Sequence, residues 1–418
     1  MGLSKADVLQ YVKENDVKFI KLLFTDLFGR IKSISLQPAI LEKAFEEGIS
    51  FDAGAIPGFL DASKSDLFLF PDPETLCVLP WRPQQGRVIR MFCNIRYPDG
   101  KPFECDARHL LEDVSLKAKT LGYTIKVGTE CEFYLFKLDE FGNPVKVPHD
   151  NASYCDFAPM DKGENVRRDI ILTLEKMGIQ PETSHHEAGP GQNEIDFKYS
   201  DILQSADNFS TFLMTVKTSA AKAGLFASIM PKPVEGKAGN GLHINLSLYK
   251  NGINLFESED EVSKFFTAGI LKHIREITAF LNPMEESYQR LGKCEAPLYV
   301  SWSPENRSQL IRVPAARGQG CRIELRSPDP SCNPYLALSL IVAAGLDGIE
   351  NKMPLAAAVN KNLYNEDVKD LEKLPLTLKE ALLLAQKSDF VKSVLGEKML
   401  ETYVAIKQDW KDPEFGQL

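Results

Sequence analysis

The 418-residue sequence lacks the features that mark membrane proteins and nucleic-acid-binding proteins. No apolar run reaches the roughly 18 residues of a spanning helix, and the N-terminus has no apolar signal core. The net charge of −9 at pH 7 argues against the basic surface that nucleic acid or an anionic membrane requires. We therefore expect neither a membrane nor a nucleic acid as a partner.

Patterned cysteines and glycine-rich phosphate loops are also missing. The eight cysteines include no C-x-x-C pair and follow no staple-like spacing, so a reducing, cytoplasmic location is expected. The glycines at 236, 239 and 241 match neither the G-x-x-x-x-G-K-[ST] loop nor a dinucleotide fingerprint. A nucleotide that binds this chain is expected to use another kind of site.

A turn-rich segment, YPDGKPFECD at 97–106, divides the sequence into two predicted domains. Alternating residues at 17–24 and 31–36 predict strands, so residues 1–106 are expected to form a small, mainly β domain. Residues 107–418 mix predicted helices at 108–121, 164–177, 205–223 and 335–352 with predicted strands at 123–136, 242–249 and 320–327. These strands carry charged side chains. Charged groups are usually exposed to solvent, so their presence within strands requires an explanation, such as a binding site.

The strand GTECEFYLF carries a pair of carboxylates. Alternation places Glu130, Glu132 and Tyr134 on one face of this strand. Two carboxylates side by side on a half-buried strand repel each other unless a cation or a proton lies between them. A cation site is one interpretation of this strand, and a solvated face is the other.

Two further segments carry candidate metal ligands. The segment SHHEAGPGQNEID places Glu187 and Glu194 on a predicted glycine- and proline-rich loop, for which a polar surface loop is the alternative. In AGNGLHINLS, the side chains of His243, Asn245 and Ser247 share one face of a predicted strand. A single strand histidine is more often structural than a ligand, so each segment alone leaves both interpretations open.

A cluster of arginines surrounds one more carboxylate. Arg322, Glu324 and Arg326 share a predicted strand face, and Arg307 and Arg312 lie just upstream. Each guanidinium can bind two oxygens and stays charged, which suits a site for phosphate and carboxylate groups. A surface ladder of ion pairs is the alternative.

The combined set of candidate ligands is rich in carboxylates and contains no thiol. Oxygen ligands with one histidine suit Mg²⁺ or Mn²⁺ better than a structural zinc ion. Two such ions beside arginines suit phosphoryl transfer, in which spread negative charge must be positioned and neutralised.

With these motifs, the sequence resembles type I glutamine synthetases from about residue 17 to residue 410. The segments that carry the resemblance occur in the same order and at similar spacing: GTECEF, HHEAGPGQNE, GLHINLS, EAPLYVSW, NRSQLIRVP and RIELRSPDPSCNPYLA. The resemblance implies an α+β fold, with a β-grasp domain at 1–106 and a catalytic domain at 107–418 whose curved antiparallel sheet is backed by helices. It implies an ATP-dependent ligase that forms glutamine from glutamate and ammonia through γ-glutamyl phosphate.

The resemblance also implies roles for individual residues. Two to three Mg²⁺ or Mn²⁺ ions per subunit are expected, one held by Glu132, Glu187 and Glu194 and a second by Glu130, His243 and Glu324. ATP is expected to contact Glu182, Tyr199, Asn245, Ser247, Arg307, Arg312 and Arg322. The amino-acid substrate is expected to contact Gly239, Arg290, Glu295 and Arg326. The implied catalytic residues are Asp52, which binds ammonium and removes its proton, Glu295 of a flap that closes over the substrate, and Arg312.

An oligomer is implied as well, because in the family the residue matching Asp52 serves a neighbouring subunit's site. Hexameric rings or a dodecamer are expected. The sequence ends in WKDPEFGQL, before the helical tail that usually locks two rings together in the family, so both one ring and two rings stay possible. Tyr364 lies in NKNLYNED, a segment that resembles the loop where some family members are adenylylated.

The sequence departs from the family pattern around the amine and the amino group. Ala238 stands where the family has an asparagine that contacts the glutamate amino group, Ala55 replaces a serine beside the ammonium site, and the flap segment RLGKCEAP is one residue shorter. Losing one neutral hydrogen bond costs about 0.5–1.5 kcal/mol. A γ-glutamyl ligase for an alkylamine, ethanolamine or a polyamine therefore stays an alternative. A non-catalytic relative is less favoured, because no expected metal ligand is lost.

Overall fold

The computed structural model describes residues 2–258, 260–366 and 368–409. The ending WKDPEFGQL at 410–418 therefore lies outside the described residues. The strands are β1 Val17–Thr25, β2 Ile31–Leu36, β3 Ile49–Asp52, β4 Asp66–Pro71, β5 Cys77–Val78, β6 Arg87–Arg96, β7 Thr124–Leu138, β8 Pro144–Pro148, β9 Pro181–His186, β10 Gln192–Asp201, β11 Leu225–Ser228, β12 Leu242–Lys250, β13 Ile253–Asn254, β14 Trp302–Pro304, β15 Ile311–Val313 and β16 Ile323–Leu325. The helices are α1 Lys5–Glu14, α2 Leu41–Glu46, α3 Ala107–Thr120, α4 Glu164–Lys176, α5 Ile202–Lys222, α6 Glu261–Leu281, α7 Glu285–Arg290, α8 Pro334–Glu350, α9 Leu378–Lys387, α10 Asp389–Leu395 and α11 Glu397–Asp409.

The N-terminal sheet has six strands in the order β2-β1-β6-β4-β3, with β5 paired to β6. Strands β1 and β6 run parallel, and the other pairs in this sheet are antiparallel. Helix α1 begins after Ser4, whose side chain and that of Asp7 each accept a backbone hydrogen bond from the other residue. The predicted strands at 17–24 and 31–36 are confirmed.

The larger sheet has ten strands, with β14-β15-β16-β12-β7-β10-β9 in order and β8, β11 and β13 paired at its sides. It is antiparallel except for the pair β14 and β15. Helices α3 and α5 pack on this sheet, α8 packs on both of them, and α6 packs on α8. The expected α+β class is confirmed, with one parallel pair in a sheet that was predicted to be antiparallel throughout.

The two faces of the central strand β7 have opposite characters. Cys131, Phe133 and Leu135 are fully buried on the side that faces the helices, where Phe133 packs on Phe212 of α5. The charged side chains of β7 therefore lie on the other face, because side chains alternate along a strand. Helix α8 is buried in this core, as its apolar sequence predicts, and none of the described helices is long and apolar enough to cross a membrane.

A buried ionic network joins the two domains. Arg108, only 2% exposed, pairs with Asp72 of the N-terminal domain at 2.8 Å and with Asp207 of α5 at 2.9 Å. The hydroxyl of Tyr335 in α8 donates to the same Asp207 at 2.7 Å. A charge this deeply buried is stable only when it is paired, so the network fixes how the small domain sits on the large one.

Two sequence predictions need correction. Glu194 does not lie on a loop: it lies in β10, and the GPG motif forms a tight turn between β9 and β10, so only Glu187 of the two is on a loop. The strand predicted at 320–327 is shortened to Ile323–Leu325. It begins after a turn at Gly318–Gly320 and ends before Pro328, so Arg322 and Arg326 flank the strand.

Candidate active site

The strand register brings the predicted site residues, which are far apart in the sequence, into adjacent rows. These rows lie on the face of the large sheet that points away from the helices. Glu130 of β7 lies opposite His243 of β12 on one side and Asp196 of β10 on the other. One row further along, Glu132 lies opposite Glu194. A third row is Asn245, Glu324 and Arg312, which come from β12, β16 and β15.

The first group of potential metal ligands is Glu130, His243 and Glu324. Their ligand atoms all lie within 4.8 Å of one another. His243 Nδ1 is 3.2 Å from Glu130 Oε2 and 3.5 Å from Glu324 Oε1. Burial raises the pKa of Glu130, but the hydrogen bond and charge of His243 outweigh it and bring the pKa to about 2. Glu130 is therefore ionised at neutral pH.

The second group contains more negative charge than its surroundings balance. Glu132 and Glu194 lie within 4.8 Å of His243, and Glu194 also groups with His185 and Glu187. Burial raises the pKa of Glu132 and of Glu194. Neighbouring carboxylates raise the pKa of Glu194 further, whereas at Glu132 the charge of His243 opposes the effects of burial and of Glu187. These acids are held close together at an electrostatic cost that a bound cation would remove.

The donor set fits a hard or borderline divalent cation. Its potential ligands are carboxylate oxygens and imidazole nitrogen, and the nearby thiol of Cys131 points to the buried face. Hydrogen bonds fix the carboxylates in place: Glu132 Oε2 accepts from Gln192 Nε2 and from the Gly241 amide, each at 2.9 Å. Held in this way, the site is organised to receive an ion.

The arginines join the same network. Arg312 Nη1 lies 2.8 Å from Glu324 Oε2, and Arg326 contacts the other oxygen of the same carboxylate. Arg322 Nε donates to Asn245 Oδ1 at 2.8 Å, and Asn245 in turn donates to Glu130. Arg307 is exposed, and among the described residues no hydrogen bond or ion pair joins its side chain to the ligand groups. The arrangement places guanidinium groups beside the ligand groups, where phosphate oxygens could bind both.

A cavity of about 250 Å³ adjoins the second group, and it is lined by Glu132, Glu187, Ala188, Gly236, Lys237, Ala238, Gly239, His243, Arg290, Cys294, Glu295, Ala296 and Arg326. Arg290 and Arg326 are only 3% and 2% exposed. Among the described residues, Arg326 Nε finds no hydrogen-bond acceptor, which suits a carboxylate ligand. A Cβ atom on Gly239 would lie 2.2 Å from the Pro231 carbonyl oxygen, so only glycine fits there.

Four predicted site residues lie apart from these groups. Asp52 is exposed at the end of β3 in the N-terminal domain, where its carboxylate accepts from the Gly54 amide at 2.9 Å. Glu182 is exposed on β9. Tyr199 lies beside Gly128, on the same face as Glu130. Ser247 is buried and donates to the Cys321 carbonyl at 3.1 Å, so its hydroxyl is already paired.

Three site residues were missed by the sequence analysis. Asp196 forms a potential ligand group with Glu130 and Glu194, and burial together with the charge of Glu130 raises its pKa to about 6. His185 lies 2.8 Å from Glu187, and Gln192 bonds Glu132. Strand alternation in QNEID, with Glu194 and Asp196 two residues apart, is the signal that could have found Asp196.

Family models decide the relationship of the chain to known proteins. The model for the glutamine synthetase catalytic domain matches residues 104–414, and the model for the glutamine synthetase β-grasp domain matches residues 16–98. The chain belongs to the glutamine synthetase family. The resemblance seen in the sequence and the expected β-grasp N-terminal domain are thereby confirmed.

Curated relatives and solved structures agree with this family. The glutamine synthetase of Clostridium saccharobutylicum is 47% identical over 98% of this chain and 95% of its own length. The glutamine synthetase of Methanosarcina mazei is also 47% identical, over 98% of this chain and 94% of its own. A solved GmaS/ADP complex has a TM-score of 0.88 at 30% identity and covers 96% of this chain and 95% of its own.

Proposed function

We propose that this chain is an ATP-dependent ligase that forms glutamine from glutamate and ammonia. One observation supports this function most strongly: two groups of potential metal ligands share His243 and lie beside buried arginines and a cavity large enough for an amino acid. Relatives named glutamine synthetase, 44–47% identical over nearly the whole chain, support the same reaction. They do not favour the alternative of a ligase for another amine.

We assign two divalent cations to the potential ligand groups. Glu130, His243 and Glu324, which form one group, are assigned to one ion. Glu132, Glu187 and Glu194 are assigned to the other, since Glu194 groups with Glu132 in one set and with Glu187 in another. Mg²⁺ and Mn²⁺ are the ions that this donor set suits. When bound, such ions neutralise charge on the phosphates of ATP. Asp196, with its raised pKa, lies next to both groups and supports their charge balance.

The protein's own residues would then prepare an unreactive carboxylate for attack. We assign Arg307, Arg312 and Arg322 to stabilise the phosphoryl group as it moves from ATP to the substrate's γ-carboxylate. Arg290 and Arg326 hold the carboxylates of glutamate in the cavity. Tyr199 and Glu182, exposed on neighbouring strands, are assigned to the nucleotide. Glu295 belongs to the segment that closes over the cavity and keeps water out.

The amine is assigned to a site shared between subunits. No described contact joins Asp52 to the ligand groups of its own chain, and it lies exposed in the N-terminal domain. We assign it to the ammonium site of a neighbouring copy, where it would remove a proton before attack. This assignment requires a homo-oligomer, for which we propose hexameric rings or a dodecamer. We also propose a location in the cytoplasm and a domain division at Asp106.

An amine panel tests the proposed function. With glutamate and ATP, we expect kcat/KM for ammonium to exceed that for methylamine or ethanolamine by at least about tenfold, because an added methylene costs roughly 1–3 kcal/mol in a fitted site. Glutamine is measured by chromatography and ADP by a coupled assay, with a reaction lacking amine as control. Higher activity with an alkylamine would reject glutamine formation, and no turnover with any amine would reject a ligase.

A further inference from the structure

The hydroxyl of Tyr364 bridges two segments at the mouth of the amino-acid cavity. It lies 2.5 Å from the carbonyl oxygen of Glu295 and 2.6 Å from the carbonyl oxygen of Arg307. Glu295 belongs to the flap, defined here as residues 292–297, which lines the cavity. Arg307 belongs to the arginine loop, defined as residues 305–309. One side chain therefore connects the cover of the cavity to the loop that carries a phosphate-site arginine.

The segment that carries Tyr364 is fixed to the arginine loop. The Lys361 carbonyl accepts from Asn306 Nδ2 at 2.8 Å and from Gln309 Nε2 at 3.1 Å. The Leu363 amide donates to Ser308 Oγ at 3.0 Å, and the Leu363 side chain is buried. Tyr364 thus approaches the flap from an anchored position, so the flap is the part that can move.

Turn hydrogen bonds hold the base of the flap: the Lys293 amide donates to the Arg290 carbonyl and the Ala296 amide to the Lys293 carbonyl, each at 3.1 Å. The tip is more exposed. Gly292, Lys293, Cys294 and Glu295 are all exposed. Cys294 and Glu295 have φ angles of 45° and 70°, in the left-handed region that residues other than glycine rarely adopt. Such backbone persists only where the surroundings impose it. The hydrogen bond from Tyr364 to the Glu295 carbonyl is a contact of this kind.

A tyrosine hydroxyl has one proton to donate, whereas both neighbouring carbonyl oxygens only accept. Burial raises the pKa of Tyr364 more than the neighbouring guanidinium of Arg326 lowers it, so the proton is retained at neutral pH. When the flap leaves, the hydroxyl can turn to Arg307 and remain paired. When the flap opens, the Tyr364 hydroxyl therefore keeps a hydrogen-bond acceptor. The hydrogen bond between Tyr364 and the flap can then break and form again at little cost.

We propose that Tyr364 is a positioning residue that keeps the flap over the cavity while the acyl phosphate exists. In the productive step, the nitrogen of ammonia forms a bond to the acyl carbon and the bond from that carbon to the phosphate oxygen breaks. One proton passes from the nitrogen to the departing phosphate, so glutamine and hydrogen phosphate are the products. When water attacks instead, the same bond breaks and glutamate is regenerated. The proposal rests on the proposed function. It assigns to Tyr364 the control of whether ammonia or water attacks the acyl phosphate.

The variant Tyr364→Phe tests the proposal through coupling. We expect phosphate released per glutamine formed to rise about threefold to tenfold above wild type when ammonium is limiting, since one hydrogen bond is lost. The matched control is Tyr97→Phe, which removes a hydroxyl that donates to Glu104 at 2.6 Å in the N-terminal domain. Its ratio should equal that of wild type. A merely structural loss would lower turnover without changing the ratio.

A second measurement needs no turnover. Cys155 and Cys294 are the exposed cysteines of the described chain, so a Cys155→Ser background lets a maleimide report on the flap through Cys294. We expect Tyr364→Phe to speed this labelling by about threefold or more, and Tyr97→Phe to leave it unchanged. Wild-type labelling and wild-type coupling in Tyr364→Phe would overturn the proposal. A wild-type enzyme that makes no glutamine would instead reject the proposed function, while labelling still reports on the flap contact.

Discussion

Glu132→Gln is expected to lower the kcat for glutamine formation by about 100-fold to 1,000-fold, the usual loss when one preorganised electrostatic group is removed from an active site. Glu132 faces Glu194 across the strand pair and lies within ligand distance of His243. Glutamine has nearly the same shape but no charge. Its amide nitrogen would also face the donors Gln192 and Gly241, which now bond the carboxylate.

The matched control for this variant is Glu175→Gln on α4. Glu175 is exposed, so the same chemical change is made away from the ligand groups. We expect its kcat to stay close to wild type, because surface substitutions usually change stability by less than about 0.5 kcal/mol. Equal kcat in Glu132→Gln and wild type, at saturating Mn²⁺ and substrates, would contradict the role given to Glu132.

Glu324→Gln is expected to lower both stability and turnover. Glu324 is 1% exposed and pairs with Arg312 at 2.8 Å and with Arg326, which is itself 2% exposed. Burial opposes ionisation, but Arg326 and His243 hold the pKa of Glu324 below its usual value. Removing the carboxylate charge leaves a buried guanidinium unpaired, which costs about 3–5 kcal/mol. Thermal unfolding without added metal measures this loss, and turnover should fall at least about 100-fold.

A double variant separates the two effects. In Glu324→Gln/Arg326→Gln both buried charges are removed, so we expect more than about half of the lost stability to return, as for other buried pairs replaced together. Turnover should stay low, because the charges that position the substrate are still absent. Full turnover in the double variant would contradict the role of this pair in turnover, and wild-type stability in the single variant would contradict its role in stability.

The strand alternation of the candidate site could be predicted from the sequence, whereas the strand neighbours could not. Period-two spacing placed Glu130 and Glu132 on one face of a strand, and the structure has them so. No local sequence pattern indicates that β12 lies on one side of β7 and β10 on the other, because these strands are far apart in the chain. The sequence resemblance, rather than the periodicity, supplied the grouping with His243 and Glu324.

Two features were missed because they depend on contacts between segments that are distant in the sequence. The GPG motif at 189–191 was interpreted as a long loop because glycine and proline interrupt local patterns. In the structure it is a tight turn, since β10 pairs with both β7 and β9 and extends the regular backbone to Gln192. The contacts of Tyr364 had no sequence signal, because they join three irregular segments through backbone carbonyls that carry no residue preference.

The most direct test of the account is calorimetric titration of the assembled protein with Mn²⁺. We predict uptake in two classes of site per chain, with one class lost in Glu132→Gln/Glu194→Gln and the other lost in Glu130→Gln, while His243→Asn, at the residue common to both groups, weakens both. The Glu175→Gln protein should bind as wild type does. Absence of Mn²⁺ uptake by the wild-type protein, or equal uptake by all of these variants, would contradict the claim that these carboxylates and His243 converge on divalent cations.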